Sequence, residues 1–327
     1  MFRAFVLSVS GLCLLTVSCS ETGQMKEKDN TPDKIKLVTL DPGHYHAALV
    51  QKSMYEQIDP DVKVYAPEGP DVASHLAQIQ RFNERADDPT HWRQEVYEGD
   101  DFLEKMLAEK SGDIVVLSGN NRRKAEYIKA SIDAGFNVFC DKPMCIDAKG
   151  FKLLERAFAS AEKHDLLLYD IMTERFNTTC ILQKLLVLNK ELFGEMEAGS
   201  PEKPAIVKQS VHHFFKYVAG APLKRPAWYF DTTQQGEGLV DVTTHLIDLM
   251  MWTCFPEQAI DYRRDIEINK ARRWPTTLTR AQYEKVTGVA VFPDYLKNKL
   301  NEDGVLPCYS NGETTFTMKG VCVKLSV

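Results

Sequence analysis

No Cys-x-x-Cys pair occurs in the 327 residues, although the chain has eight cysteines. That absence removes the spacing signature of a structural zinc site and of a dense disulfide scaffold. Two of the cysteines, Cys13 and Cys19, belong to the N-terminal segment. The others, Cys140, Cys145, Cys180, Cys254, Cys308 and Cys322, are scattered through mostly apolar stretches and read as buried free thiols. No basic block stands out. The balance of 40 Lys and Arg against 46 Asp and Glu leaves a net charge of -6, so nucleic acid is not an expected partner. The apolar run from Ala4 to Val17 falls short of the roughly 20 residues that cross a bilayer as a helix. A content of 44% hydrophobic and 26% charged residues excludes a disordered chain, and the length calls for more than one ordinary core.

The N-terminus has the order of a targeting segment: Arg3, the apolar run, then Ser18-Cys19. Thr16-Val17-Ser18-Cys19 resembles a lipobox, with Cys19 as the lipidated residue. The expectation is a signal peptide over 1–19, a polar tether over 20–34, export, and a lipid anchor facing the periplasm or cell surface. The membrane is then a partner through that lipid alone.

From residue 35 to 170 short apolar runs alternate with amphipathic stretches, which predicts βαβ units and a parallel sheet. Strands are expected at Ile35–Leu40, Val62–Tyr65, Arg93–Tyr97, Asp113–Leu117, Asn137–Cys140 and Leu166–Tyr169. Helices are expected at 47–57, 71–85, 101–110, 122–134 and 148–163. Beyond 170 the rhythm changes to an α+β pattern with a mostly antiparallel open sheet over 171–327. Helices are expected at 178–192 and 239–252, with strands at 206–215, 261–270, 313–318 and 321–327. The chain stops inside the last of these strands. That suggests missing sequence, and a terminal strand lying at an exposed edge or pairing with another subunit.

Four segments carry chemistry. Asp41-Pro42-Gly43-His44-Tyr45-His46 follows the first strand, where a dinucleotide fold places its glycine turn. Only the middle glycine, Gly43, is present. Ser118-Gly119-Asn120-Asn121 follows a strand buried on both faces and reaches the carboxyl edge of the sheet. Asp141-Lys142-Pro143 ends the next strand, and Pro143 biases Lys142 toward an extended backbone. On the helix after Gly236-Glu237-Gly238, Asp241 and His245 stand four apart and share one face, with Asp248 one turn beyond His245. Leu246, Ile247 and Leu249 should turn toward the core.

Together these segments resemble the Gfo/Idh/MocA oxidoreductase family. Asp141-Lys142-Pro143 stands for its Glu-Lys-Pro motif, Ser118 to Asn121 for its Ala-Thr-Pro-Asn turn, and Asp241 with His245 for its Asp-x-x-x-His helix. Trp228 and Asp231 match the usual lead-in. Lys124 stands where the family often has His. The resemblance implies a Rossmann-like nucleotide domain followed by an α+β substrate domain, with NAD or NADP as cofactor. It implies hydride transfer to or from a sugar or polyol. The catalytic set would be Lys142, Asp241 and His245, with His245 as the base. Gly43, His44, Tyr45, Ser118, Asn120, Asn121, Asp141 and Lys142 would contact the cofactor.

Two other functions fit the same motifs. One is an NAD-dependent glycosidase working by transient sugar oxidation. The other is a lipoprotein that keeps the fold and binds sugar without catalysis. Asp41, His44 and His46 could reach a metal ion, but no fourth ligand is indicated and no metal is expected. A homo-oligomer through the C-terminal sheet is the expected assembly.

Overall fold

The computed structural model describes residues 33–218 and 221–327. The segment expected to be a signal peptide, Cys19 and most of the expected tether lie outside the described residues. Among those described, no helix is long and apolar enough to cross a membrane.

The first part alternates β1 (Leu37–Leu40), α1 (His46–Leu49), β2 (Asp61–Ala66), α2 (Pro70–Glu84), β3 (Arg93–Glu98), α3 (Phe102–Glu109), β4 (Ile114–Leu117), α4 (Lys124–Asp133), β5 (Asn137–Asp141), α5 (Ala148–Lys163) and β6 (Leu168–Ile171). The strands form one sheet in the order β3-β2-β1-β4-β5-β6, all parallel. Strand order reverses between β1 and β4, which opens a crevice at their carboxyl ends. Helices cover both faces, so the central strands are buried throughout and read as continuous apolar runs. One face packs Leu40, Val115, Leu117 and Val138 against Met106, Ile128 and Ile132. The other packs Leu37, Val62 and Val116 against Ile79 and Phe82.

The second part begins with a 3-10 turn (Glu174–Phe176), α6 (Thr178–Val187) and α7 (Lys190–Phe193). It continues through β7 (Ile206–Gln209), the short pair β8 (Tyr217–Val218) and β9 (Ala221–Pro222), and a 3-10 turn (Ala227–Phe230). Then follow α8 (Gly238–Cys254), β10 (Ile266–Leu278), α9 (Arg280–Thr287), α10 (Asp294–Lys297), β11 (Leu306–Met318) and β12 (Val321–Ser326). A mixed sheet has the order β10-β11-β12-β7, antiparallel except for the β12–β7 pair. Leu246 and Met250 of α8 seat on Phe316, Met318, Val323 and Leu325. This fixes which face of α8 is left for the site.

Several boundaries differ from the sequence reading. α1 stops at Leu49 rather than at residue 57, because the chain must return beside Ile35: Ile35 N donates to Gln57 O, and Asp59 N to Ile35 O, both at 2.9 Å. The helix expected over 178–192 breaks at Asn189, whose side chain accepts from Leu192 N and starts α7 afresh. β7 ends at Gln209 instead of reaching residue 215. β10 begins at Ile266, after a turn in which Asp265 N donates to Asp261 O. The last strand is not at an edge: β12 lies between β11 and β7, and its Val323 and Leu325 are buried. The six cysteines among the described residues are free thiols, Cys140 and Cys322 buried as expected and the other four partly exposed.

One glycine ties two strand ends together. A Cβ on Gly119, just after β4, would stand 1.9 Å from the Asp41 carbonyl oxygen just after β1. Backbone cannot yield as a side-chain tip does. Gly119→Ala should therefore lower stability by about 3 kcal/mol or more, read as a shift in the urea midpoint. A midpoint within 0.5 kcal/mol of wild type, the roughly neutral range of surface changes, would contradict this packing.

Candidate active site

The parallel sheet delivers three turns to one edge. Asp41 follows β1 with a left-handed backbone, φ 46°, and its N–H donates to Tyr65 O at 2.9 Å. The N–H groups of Gly43 and His44 both donate to Ser118 O at 3.0 Å, joining the β1 turn to the β4 turn. Asp141 at the end of β5 is fully buried between them. One of its oxygens accepts from the buried ammonium of Lys124. The other accepts from Ser118 Oγ at 2.8 Å and faces His44 Nδ1 at 3.1 Å and His46 Nδ1 at 3.3 Å. Burial alone would raise the Asp141 carboxyl. The Lys124 charge and the two imidazoles outweigh it and hold the group well below the carboxylate range. Burial, then the neighbouring His46, pushes His44 down to about 4, so that ring is neutral near pH 7.

Lys142, one residue on, reaches across to α8. Its Nζ donates to Asp241 Oδ1 at 2.6 Å and to Asp241 O at 2.7 Å. The other Asp241 oxygen accepts from Tyr229 Oη at 2.6 Å and lies 3.1 Å from His212 Nε2. Burial opposes the Asp241 charge, but the His212 hydrogen bond and the Lys142 charge hold it well below the usual range. The same buried carboxylate, after burial itself, drives the Tyr229 phenol well above 10. His245, one turn along α8, is pushed down to about 4 by burial and then by Lys142, with Asp241 opposing. Its Nδ1 is buried without a partner among the described residues.

Lys142, Asp241 and His245 line one cleft of about 260 Å³ with His44, Tyr45 and His46. Thr173, Glu174, His212, His213, Lys216 and Arg225 also line it. The volume is near the small end of the roughly 300–1,000 Å³ of small-molecule sites. A larger cavity of about 340 Å³ between α6, α7 and β7 is mostly apolar around Val187, Phe193, Met196 and Ile206 and has no such cluster.

The fold does not bring every expected residue to this cleft. Asn120 Nδ2 donates to Gln234 Oε1 at 2.8 Å, and Asn121 Nδ2 to Gln235 O at 2.9 Å. Both hold the 231–236 loop over the β4 turn. Asn121 Oδ1 stays buried and unpaired. Asp248 turns away and pairs with Arg175, its Oδ2 accepting from Nε at 2.8 Å. Ile247 is 37% exposed rather than in the core, whereas Leu246 and Leu249 are buried. Asp41 does not join His44 and His46; Asp141 takes that place. The sequence reading did not single out Tyr229 or His212. The adjacent His212-His213 pair, in a stretch otherwise read as strand, was the available signal. Lys124 was noted only as a departure, and its burial against Asp141 explains the exchange: a cation there balances the carboxylate.

Two family models match the chain: "Oxidoreductase family, NAD-binding Rossmann fold" over residues 69–169, and "Putative oxidoreductase C terminal domain" over 182–327. A crystal structure from Parabacteroides merdae, described as a putative oxidoreductase, is 54% identical with a TM-score of 0.86. The match covers 90% of this chain and 67% of that one. At 16% identity and TM-score 0.52, the fold also resembles the WlbA dehydrogenase of Chromobacterium violaceum, solved with NADH and UDP-GlcNAcA, over 91% of this chain and 68% of that one. A structure described as a putative myo-inositol dehydrogenase from Sinorhizobium meliloti is 14% identical with a TM-score of 0.53, over 90% and 68%. No curated protein is similar at a significant level. The chain belongs to the Gfo/Idh/MocA oxidoreductase family and carries that family's NAD-binding Rossmann domain.

The residues present fit a nicotinamide nucleotide at the β1–β4 crevice. Gly43 leaves no room for a Cβ, which would stand 2.9 Å from Asp71 Oδ2 and 3.3 Å from Trp228. Asp71 accepts from Trp228 Nε1 at 2.7 Å, so that side of Gly43 is already filled by protein. The unpaired Asn121 Oδ1 and His245 Nδ1 are polar atoms that a bound ligand can satisfy.

Asp41 gives the site a pH signature. Burial, then the Asp71 charge, raises its carboxyl to about 6 against 3.8 when free, opposed by a hydrogen bond from Tyr127. The folded state holds this proton longer than the unfolded one. The group therefore costs nothing below pH 3.8, and stability falls as pH rises to about 6. Asp41→Asn removes the charge and suits the left-handed backbone. It should stabilise the chain at neutral pH by on the order of 1–3 kcal/mol and leave it unchanged near pH 4. Thermal melts at the two pH values check this; a variant less stable than wild type at neutral pH contradicts it.

Proposed function

We propose that this chain is a nicotinamide-dependent oxidoreductase acting on a hydroxyl-bearing carbon of a sugar or polyol. The observation that carries the reading is the convergence of Lys142, Asp241 and His245 in one cleft at the carboxyl edge of the parallel sheet. Relatives of the same fold are described as acting on inositol or holding a nucleotide sugar, which supports the substrate class.

When bound, the nicotinamide supplies the hydride acceptor or donor. The remaining work falls to side chains. The Lys142 ammonium has three donors, two of which go to Asp241, leaving one for a substrate hydroxyl. Asp241 keeps Lys142 aimed, and is itself held by Tyr229 and His212. His245 is unprotonated at neutral pH and can take the hydroxyl proton as the carbon gives up hydride. Burial in the cleft keeps bulk water from competing for that proton.

Replacing His245 by Ala, or Lys142 by Met, should lower the rate of nucleotide reduction on a responsive sugar by roughly 100- to 10,000-fold. Nucleotide affinity, read by calorimetry, should persist in His245→Ala. A His245→Ala variant oxidising sugar at near wild-type rate contradicts the assignment.

A further inference from the structure

We propose that His44, His46 and Asp141 form a binding site for one divalent first-row transition-metal ion, opening on the substrate cleft. The three ligand atoms already lie together. The Nδ1 atoms of His44 and His46 are 3.1 and 3.3 Å from Asp141 Oδ2, and all three are within 4.8 Å of one another. Ligands about 2.0–2.2 Å from one tetrahedral ion stand roughly 3.3 Å apart.

The hydrogen bonding without an ion is incomplete. Asp141 Oδ2 already accepts from Ser118 Oγ. His46 Nδ1 has hydrogen-bond geometry toward the same oxygen, whereas His44 Nδ1, though close, does not and is left buried and unpaired. An ion on the two Nδ1 lone pairs and the carboxylate would satisfy all three.

The surroundings are those of a supported site. Lys124 on the other carboxylate oxygen and the Ser118 hydroxyl orient Asp141, as outer-shell partners of metal ligands do. His44 and His46 both line the cleft beside Lys142 and His245. Three protein ligands leave a coordination position on that side, for water or a substrate oxygen, as in catalytic sites. Two imidazoles and a carboxylate suit zinc, iron(II) or manganese rather than copper(I). Lys124 and Lys142 already balance Asp141 and Asp241, so the ion's charge favours hydroxide or an ionising sugar hydroxyl in the open position. The ion would then polarise the oxygen that Lys142 also faces. The sequence alone pointed to Asp41 as the carboxylate; the fold supplies Asp141, about 100 residues further on by subtraction.

The test uses the full chain, stripped with chelator and free of nucleotide, so that it can fail without touching the oxidoreductase reading. Calorimetric titration with Zn²⁺ should show one ion bound per chain. His44→Gln and His46→Gln should each weaken binding by more than the roughly 10- to 100-fold that loss of an outer-shell partner costs. His91→Gln, at an exposed position, should leave it unchanged. Anomalous diffraction from wild-type crystals soaked in Zn²⁺ needs no variant and should place the ion among His44, His46 and Asp141. Absence of saturable binding, undiminished binding in both variants, or an ion placed only elsewhere overturns the proposal.

Discussion

The Asp141 carboxylate joins the three strand ends on which the site is built. It lies at the end of β5, takes a proton donor from the β4 turn through Ser118, and faces His44 and His46 from the β1 turn. Lys124, the first residue of α4, supplies the charge that keeps it anionic although it is buried. An unpaired charge in that position would be strongly destabilising, because removing one partner of a buried pair leaves the other uncompensated. The parallel sheet makes the arrangement possible: all its strands present carboxyl ends to the same edge, so residues far apart in sequence meet there.

Lys142 follows directly from this anchoring. With Asp141 fixed, the next residue leaves the sheet and meets Asp241 on α8, whose opposite face is held by the mixed sheet. Tyr229 and His212 complete the ring around Asp241. The cleft therefore carries both signs of charge, Lys142, Lys216 and Arg225 against Glu174 and Asp241, with His44 and His245 kept neutral by burial. Such a surface can hold a polar, uncharged substrate by hydrogen bonds and still move a proton within it, which is the chemistry a hydroxyl-bearing carbon requires.

The layout was legible where local pattern decides the outcome. α5 has a strong apolar periodicity and an Asp147 cap, and its bounds of Ala148 and Lys163 were read correctly. The buried strands β1 and β4 and the joint spacing of Asp141-Lys142-Pro143 with Asp241 and His245 also stood out. What failed depended on long-range contacts. Residues 50–57 have helical composition, but the bridge from Ile35 to Ile58 takes the backbone elsewhere. Asp248 has the spacing of a site residue, yet Arg175 from another element claims it. Asn120 and Asn121 sit where expected and spend their amides on Gln234 and Gln235. His212 and Lys124 have no motif of their own; only the fold reveals what they touch. The terminal strand read as an edge because nothing in residues 321–327 announces that β7 will pair on its other side.

The central claim is that the β1–β4 crevice holds a nicotinamide nucleotide next to the Lys142–Asp241 pair. The most direct measurement is mass spectrometry of small molecules released when the purified protein is denatured, before and after incubation with NAD and NADP. The account predicts one of the two nucleotides, held in stoichiometric amount after removal of the excess or bound already on purification. A protein that releases neither, even after loading, would contradict it.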